Sequence, residues 1–228
     1  MFKIYVIIPV YNASAFLISA VESVINQSCG NIQIVLIDDG STDESGDICR
    51  ELADKYTNVT MIIQENKGVS AARNRGIEHV LATACEASYI AFLDADDFWH
   101  PDFLEQAYCN ISDQAHDIYA YGMLSCDQNA ERFSYASAYS PHIAEGGNDA
   151  IWSITNRFAS NLYKVSLLKK WNIRFFEDCK YSEDKYFKMQ CCFFAESISF
   201  EQPILYVYRD NSTGAMQKSR RISAEKTL

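Results

Sequence analysis

The sequence predicts an α/β fold built on an open, mostly parallel sheet with helices on both faces, and three observations point to it. Four short apolar runs, residues 3–9, 32–37, 59–63 and 89–93, lack polar alternation, as expected of strands buried on both faces. Segments with helical spacing (14–27, 43–56 and 70–84) separate them, and strands alternating with helices pair in parallel through right-handed crossovers. Each run also stops at polar residues: Tyr11-Asn12, Asp38-Asp39, Asn66-Lys67 and Asp94 to Asp97. Such a sheet gathers its ligand-binding residues outside the carboxyl ends of its strands, where strand order reverses.

Taken in order, residues 3–9 are rich in Ile and Val, and Phe16, Leu17, Ala20, Val21, Val24 and Ile25 then fall on one helical face. The second strand ends in Asp38-Asp39-Gly40-Ser41, which is turn chemistry ahead of the next helix. The third gives way to Asn66-Lys67-Gly68, and the fourth ends in three carboxylates. Like charges repel unless water or a cation screens them, so this acid cluster is a candidate site for Mg²⁺ or Mn²⁺, which favour oxygen ligands. The second half is less regular. Helices are expected at 102–112, 149–156 (after a break at Gly146-Gly147) and 183–196, and strands at 118–123, 132–139 and 204–208. With no repeat or Pro-rich linker, the two halves are expected to share one globule.

The 228 residues suffice for one sizeable core, and 48% hydrophobic with 22% charged residues is a globular composition. A formal charge of −10 argues against nucleic acid as a partner. The eight cysteines are scattered without a Cys-x-x-Cys pair and read as reduced core residues of a cytoplasmic protein. No run approaches the ~20 apolar residues of a membrane span. The basic cluster Lys218, Arg220, Arg221 and Lys226 reads as a solvated tail, with a weak peripheral contact to anionic lipid at the inner face of the membrane as the alternative.

Taken together, Ile7-Ile8-Pro9-Val10-Tyr11-Asn12, Asp38-Asp39-Gly40-Ser41-Thr42-Asp43, the segment Asn66-Lys67-Gly68-Val69-Ser70-Ala71-Ala72-Arg73-Asn74-Arg75-Gly76, and Phe92-Leu93-Asp94-Ala95-Asp96-Asp97 resemble the family 2 glycosyltransferases of GT-A fold. The likeness is dense to about residue 100 and thinner through Ser182-Glu183-Asp184 and Tyr208-Arg209. It implies a UDP-sugar donor, a Mn²⁺ or Mg²⁺ cofactor and a glycan or lipid-linked saccharide acceptor, with residues 1–97 as the nucleotide-sugar-binding half, 98–209 as the acceptor-binding and catalytic-base half, and 210–228 as a tail.

On the donor side the resemblance implies contacts from Pro9, Tyr11, Asn12, Asp39, Lys67, Arg73, Asp94, Ala95 and Asp96. Tyr11 is suited to stack on a pyrimidine, though a turn aromatic capping the core is the plainer reading. Asp39 is suited to accept the N3–H of uracil, or is simply a turn acid. Arg73, read in the first turn of its helix, where the macrodipole disfavours a cation, needs a partner. That partner is the base or diphosphate, or else Asp38 or Asp94. Asp94 is implied at the ribose and Asp96 at the metal, while Asp97, Trp99 and Arg209 are implied on the acceptor and closing side, Arg209 with Ser212. Asp184 matches the family's catalytic base, with Glu183 beside it. Ser182 as N-cap ahead of two acids at a helix start is the structural alternative.

Two departures bear on mechanism. No histidine follows position 142 to supply a third metal ligand, and Gln217-Lys218-Ser219-Arg220-Arg221 lacks the Trp of the processive Gln-x-x-Arg-Trp motif. The resemblance implies inverting, metal-dependent transfer in cell-surface polysaccharide synthesis, and the absent processive motif favours addition of a single sugar. A non-catalytic nucleotide-sugar or glycan-binding protein is the rival from another class, and only the acid pair separates the two. A sugar-1-phosphate nucleotidylyltransferase would want a Gly-rich loop after the first strand, which Val10-Tyr11-Asn12-Ala13 does not provide.

Overall fold

Four strands open the chain: β1 (Ile4–Val10), β2 (Ile32–Asp38), β3 (Val59–Ile63) and β4 (Tyr89–Phe92). Helices α1 (Ser14–Ile25), α2 (Ser45–Lys55) and α3 (Val69–Thr83) lie between them. All seven residues of β1 are buried, as its unbroken apolar sequence requires. The strands pair in parallel in the order β3-β2-β1-β4. The chain steps outward from β1 to β3 and then returns to place β4 on the other side of β1. The switch point, where a crevice opens in such sheets, is therefore between β1 and β4. The structure is a computed structural model that describes residues 2–28, 30–137, 142–144, 158–179 and 182–211.

The second half extends the same sheet. It contributes β5 (Phe98–Trp99), α4 (Phe103–Asp113), β6 (Ile118–Cys126), β7 (Phe133–Ser137) and β8 (His142–Ala144). A 3-10 turn (Phe158–Ser160) then leads into β9 (Asn161–Lys164), α5 (Val165–Lys170), α6 (Glu183–Phe194) and β10 (Ile198–Arg209). Strand β9 inserts antiparallel between β4 and β6, so the order continues β4-β9-β6-β10-β5, with β7 on β6 and β8 on β10.

The short elements β5, β8, β9 and α5 were not expected; two to six residues are too few to show a period. Strand β10 begins six residues before the expected 204. It crosses Glu201-Gln202-Pro203 with two register shifts against β6, the irregularity that a proline without an N–H imposes within a sheet. The expected strand 132–139 is found as β7 over its described residues. Gly146-Gly147, the helix at 149–156, Ser212 and the basic cluster at 218–226 lie outside the described residues.

Two packing features set the site. Gly76 lets α3 approach β1 closely, since a Cβ there would sit 2.5 Å from Ile7 Cγ2. Beneath the site, Phe92 of β4 meets Phe158, Phe175 and Phe187 at ring separations of 5.4, 5.4 and 5.5 Å, joining the first half to α6. Of the cysteines, Cys49, Cys126, Cys191 and Cys192 are buried as expected, whereas Cys85 and Cys109 are exposed. Among the described residues no helix is long and apolar enough to cross a membrane.

Candidate active site

The loops after β1, β2 and β3 are tied to one another by side chains. Pro9 is buried within β1, and Tyr11, just past its end, is half exposed (51%). Asn12 adopts a left-handed φ of 50°. From there its Oδ1 accepts the N–H of Thr42 at 2.8 Å, and its own N–H donates to Ser41 Oγ at 3.2 Å. Asp39 is buried and accepts from Gln64 Nε2 (2.7 Å), Lys67 N (2.9 Å) and Gly68 N (2.9 Å). These bonds shape the loop entering α3 and set an acid at that helix's N-terminus, where its dipole favours negative charge. A carboxylate has about four acceptor directions, so Asp39 retains one beyond these three. Lys67 reaches Asp39 through its backbone, and the residue is exposed.

Arg73 corrects one expectation. Helix α3 starts at Val69, which puts Arg73 in the second turn, and the residue is buried (4% exposed) rather than lining open space. Its Nη2 lies 2.7 Å from Asp94 Oδ1 and its Nη1 3.4 Å from Glu183 Oε1. The guanidinium carbon lies 4.5 and 5.2 Å from the ring centres of Phe158 and Phe175. The charge is thus matched by two carboxylates and seated on aromatic faces, the ion-pair alternative, with Asp94 rather than Asp38 as partner.

The three acids after β4 divide by environment. Asp94 is partly exposed and paired with Arg73, and Ala95 is buried. Asp96 meets Asn211 Nδ2 at 3.5 Å. Burial, then the neighbouring Asp94 charge, holds its carboxyl above the ordinary value, against weaker opposition from Asn211 and Arg209. Asp97 is a correction. It is 1% exposed, with Oδ2 accepting from Tyr206 Oη at 2.5 Å and Oδ1 from Arg209 N at 2.8 Å. Burial, then Asp94 and Asp96, raises its carboxyl well above the usual range. This side chain is buried rather than surface-facing and braces β10 to the acid loop.

Trp99 is likewise no surface contact. It is buried and stacks on Phe103 at 3.8 Å. The Arg209 guanidinium packs against Phe16 and Phe98 and donates to Gln128 O and Ser19 Oγ, so it holds β10 to α1.

Glu183 and Asp184 open α6 and are both partly buried. Asp184 Oδ1 accepts the Lys185 N–H at 2.8 Å. Ser182 stands at the N-cap position but with a left-handed φ of 64° and no side-chain cap hydrogen bond, so the expected Ser cap is not made. The structure thus brings Asp94, Arg73 and Glu183 into direct contact and sets Tyr11, Asn12, Asp39, Asp94 and Asp96 at the ends of adjoining strands. Sequence reasoning missed Asn211, Tyr206, Asn74 and the Phe158–Phe175 platform. Each is an ordinary polar or core residue whose role depends on a partner more than eighty residues away.

Among the described residues no three His, Cys, Asp or Glu side chains form a ready-made metal cage. The donor set here is instead one or two crowded carboxylates, which suits a hard divalent cation completed by substrate phosphates and water.

The profile of "Glycosyl transferase family 2" matches residues 5–184. Glycosyltransferase GlyA of Streptococcus pneumoniae is 32% identical over 217 residues, covering 91% of this chain and 30% of that protein. Minor teichoic acid biosynthesis protein GgaB of Bacillus subtilis is 35% identical over 185 residues, covering 78% and 20%. The S. aureus TarS 1–349 structure in complex with UDP-GlcNAc superposes with a TM-score of 0.77 at 22% identity, covering 95% and 61%. The chain thus spans less than two thirds of each of these proteins. With the family profile covering most of its length and the GT-A architecture shared, this chain belongs to glycosyl transferase family 2.

Proposed function

We propose that this chain transfers one sugar from a UDP-sugar to a glycan or lipid-linked saccharide acceptor, with inversion, in cell-surface polymer synthesis. The observation carrying this reading is the Arg73 bridge, which joins the donor-side acid Asp94 to the acid pair opening α6. Residues 1–97 serve the donor: Tyr11 stacks on the base, the remaining acceptor direction of Asp39 meets its edge, and Asp94 contacts the ribose. Asp184 takes the acceptor hydroxyl proton while that oxygen attacks the anomeric carbon. The bond from that carbon to the diphosphate breaks on the opposite face, and UDP departs. Asp96, with the donor phosphates, would hold Mn²⁺ or Mg²⁺, which when bound supplies charge neutralisation for the diphosphate. Exposed Phe176 and Tyr186, 6.0 Å apart beside the acid pair, support a saccharide acceptor, whose ring faces pack on aromatics. The reading places the protein in the cytoplasm, with weak attachment to the inner face of the membrane through Lys218–Lys226.

The test is UDP release from a panel of UDP-sugars with Mn²⁺, first without and then with saccharide acceptors. Asp184→Asn should keep UDP binding and lose about 10²–10⁴-fold in kcat. Tight UDP binding with no turnover by the unaltered protein on any donor–acceptor pair would favour a non-catalytic binding protein instead.

A further inference from the structure

We propose that Arg73 and Asn74, consecutive residues of α3, are positioning residues that hold the acid pair Glu183–Asp184 over the donor site. The inference rests on the reading of Asp184 as base. Arg73 meets Glu183 directly. Asn74 works one step back: it is buried, its Nδ2 donates to Phe175 O (2.9 Å) and Glu177 Oε1 (2.8 Å), and its Oδ1 accepts from Phe175 N (2.8 Å). Both backbone groups of Phe175 are thereby fixed by one side chain. The Phe175 ring stacks on Phe187 of α6 at 4.0 Å with an interplanar angle of 1°, so its placement sets that of the helix. Helix α6 needs this support because Ser182 makes no side-chain cap hydrogen bond and stands in the left-handed region. The direction of its first turn, where both acids lie, is therefore set by tertiary contacts. Arg suits its position because a planar guanidinium can lie on Phe158 and Phe175 while two nitrogens reach different carboxylates.

The experiment measures Mn²⁺-supported UDP release from UDP-GlcNAc by the full chain, with UDP affinity and melting temperature in parallel. Asn74→Ala should lower kcat about 10–100-fold, the scale of a 1 Å misplacement. Donor KM and UDP Kd should stay within about 2-fold, because Asn74 touches no donor-side residue. In an Asp184→Asn background the same change should cost less than about 2-fold more, since residues acting through one base are not additive. An equal loss in both backgrounds would overturn the proposal, as would a kcat within about 2-fold of the unaltered protein. If Asn74→Ala does not fold, Arg73→Lys serves: it keeps the buried charge but not the two-pronged reach, and the same kcat loss and the same non-additivity are expected. Normal turnover by Asp184→Asn alone would remove the base assignment itself, an outcome separable from failure of the positioning argument.

Discussion

Replacing Tyr206 by Phe should destabilise the protein by about 2 kcal/mol, although it removes a single buried oxygen. Tyr206 is fully buried, donates to Asp97 Oδ2 at 2.5 Å and accepts the Asp94 N–H at 3.3 Å. Burial, then the Asp97 and Asp94 charges, keeps the phenol protonated, so its hydroxyl remains a donor. The variant leaves a buried Asp97 oxygen and the Asp94 N–H without their partner, and a buried polar group left unsatisfied costs roughly 1–3 kcal/mol. At roughly 2–4 °C per kcal/mol for a domain of this size, the melting temperature should fall by about 4–8 °C. Urea unfolding followed by tryptophan fluorescence and circular dichroism gives the free energy, with Asp97→Asn as companion. A loss under about 0.5 kcal/mol in Tyr206→Phe would refute the claim that Asp97 braces β10, and would reopen Asp97 as a contact for water or acceptor.

Four further outcomes are expected. UDP with Mn²⁺ at about 100 times Kd should add roughly 2.7 kcal/mol and on the order of 5–10 °C of melting temperature. Asp96→Ala should abolish the Mn²⁺ increment, and a variant still stimulated by Mn²⁺ would move the ligand elsewhere. Gly40→Ala should cost about 1–3 kcal/mol and weaken UDP binding. Gly40 has φ 69° and a Cβ there would lie 2.9 Å from Asn66 N; unchanged stability would show that the loop relaxes freely. Burial alone would raise the Asp43 carboxyl, but hydrogen bonds from Ser45 and Ser14 lower it from 3.8 to about 2. Because the folded value lies below the unfolded one, its stabilisation is complete above about pH 4 and is lost as pH falls through 2. The stability difference between the unaltered protein and Asp43→Asn should shrink over that window. A pH-independent difference would contradict it.

The acid loop, the Asp39 turn and the alternation of the first hundred residues were legible in the sequence because local chemistry fixes them. Short Ile- and Val-rich runs bounded by turn residues read as buried strands, and Gly40 marks a turn. Asp97 and Trp99 were expected on the acceptor side from the family resemblance, yet Asp97 is drawn inward by Tyr206 and Arg209 and Trp99 by Phe103.

What the sequence by itself determined was the succession of the first four strands along the chain and the set of polar residues delivered to their ends, since both depend on spacing along the chain. What only the tertiary structure decided was which of those residues face open space and which neutralise one another. Arg73 is the clearest case: its cation is shared between Asp94 and Glu183, 21 and 110 residues away. A charge is stable in a buried place only with partners in reach, and reach across the chain is a property of packing.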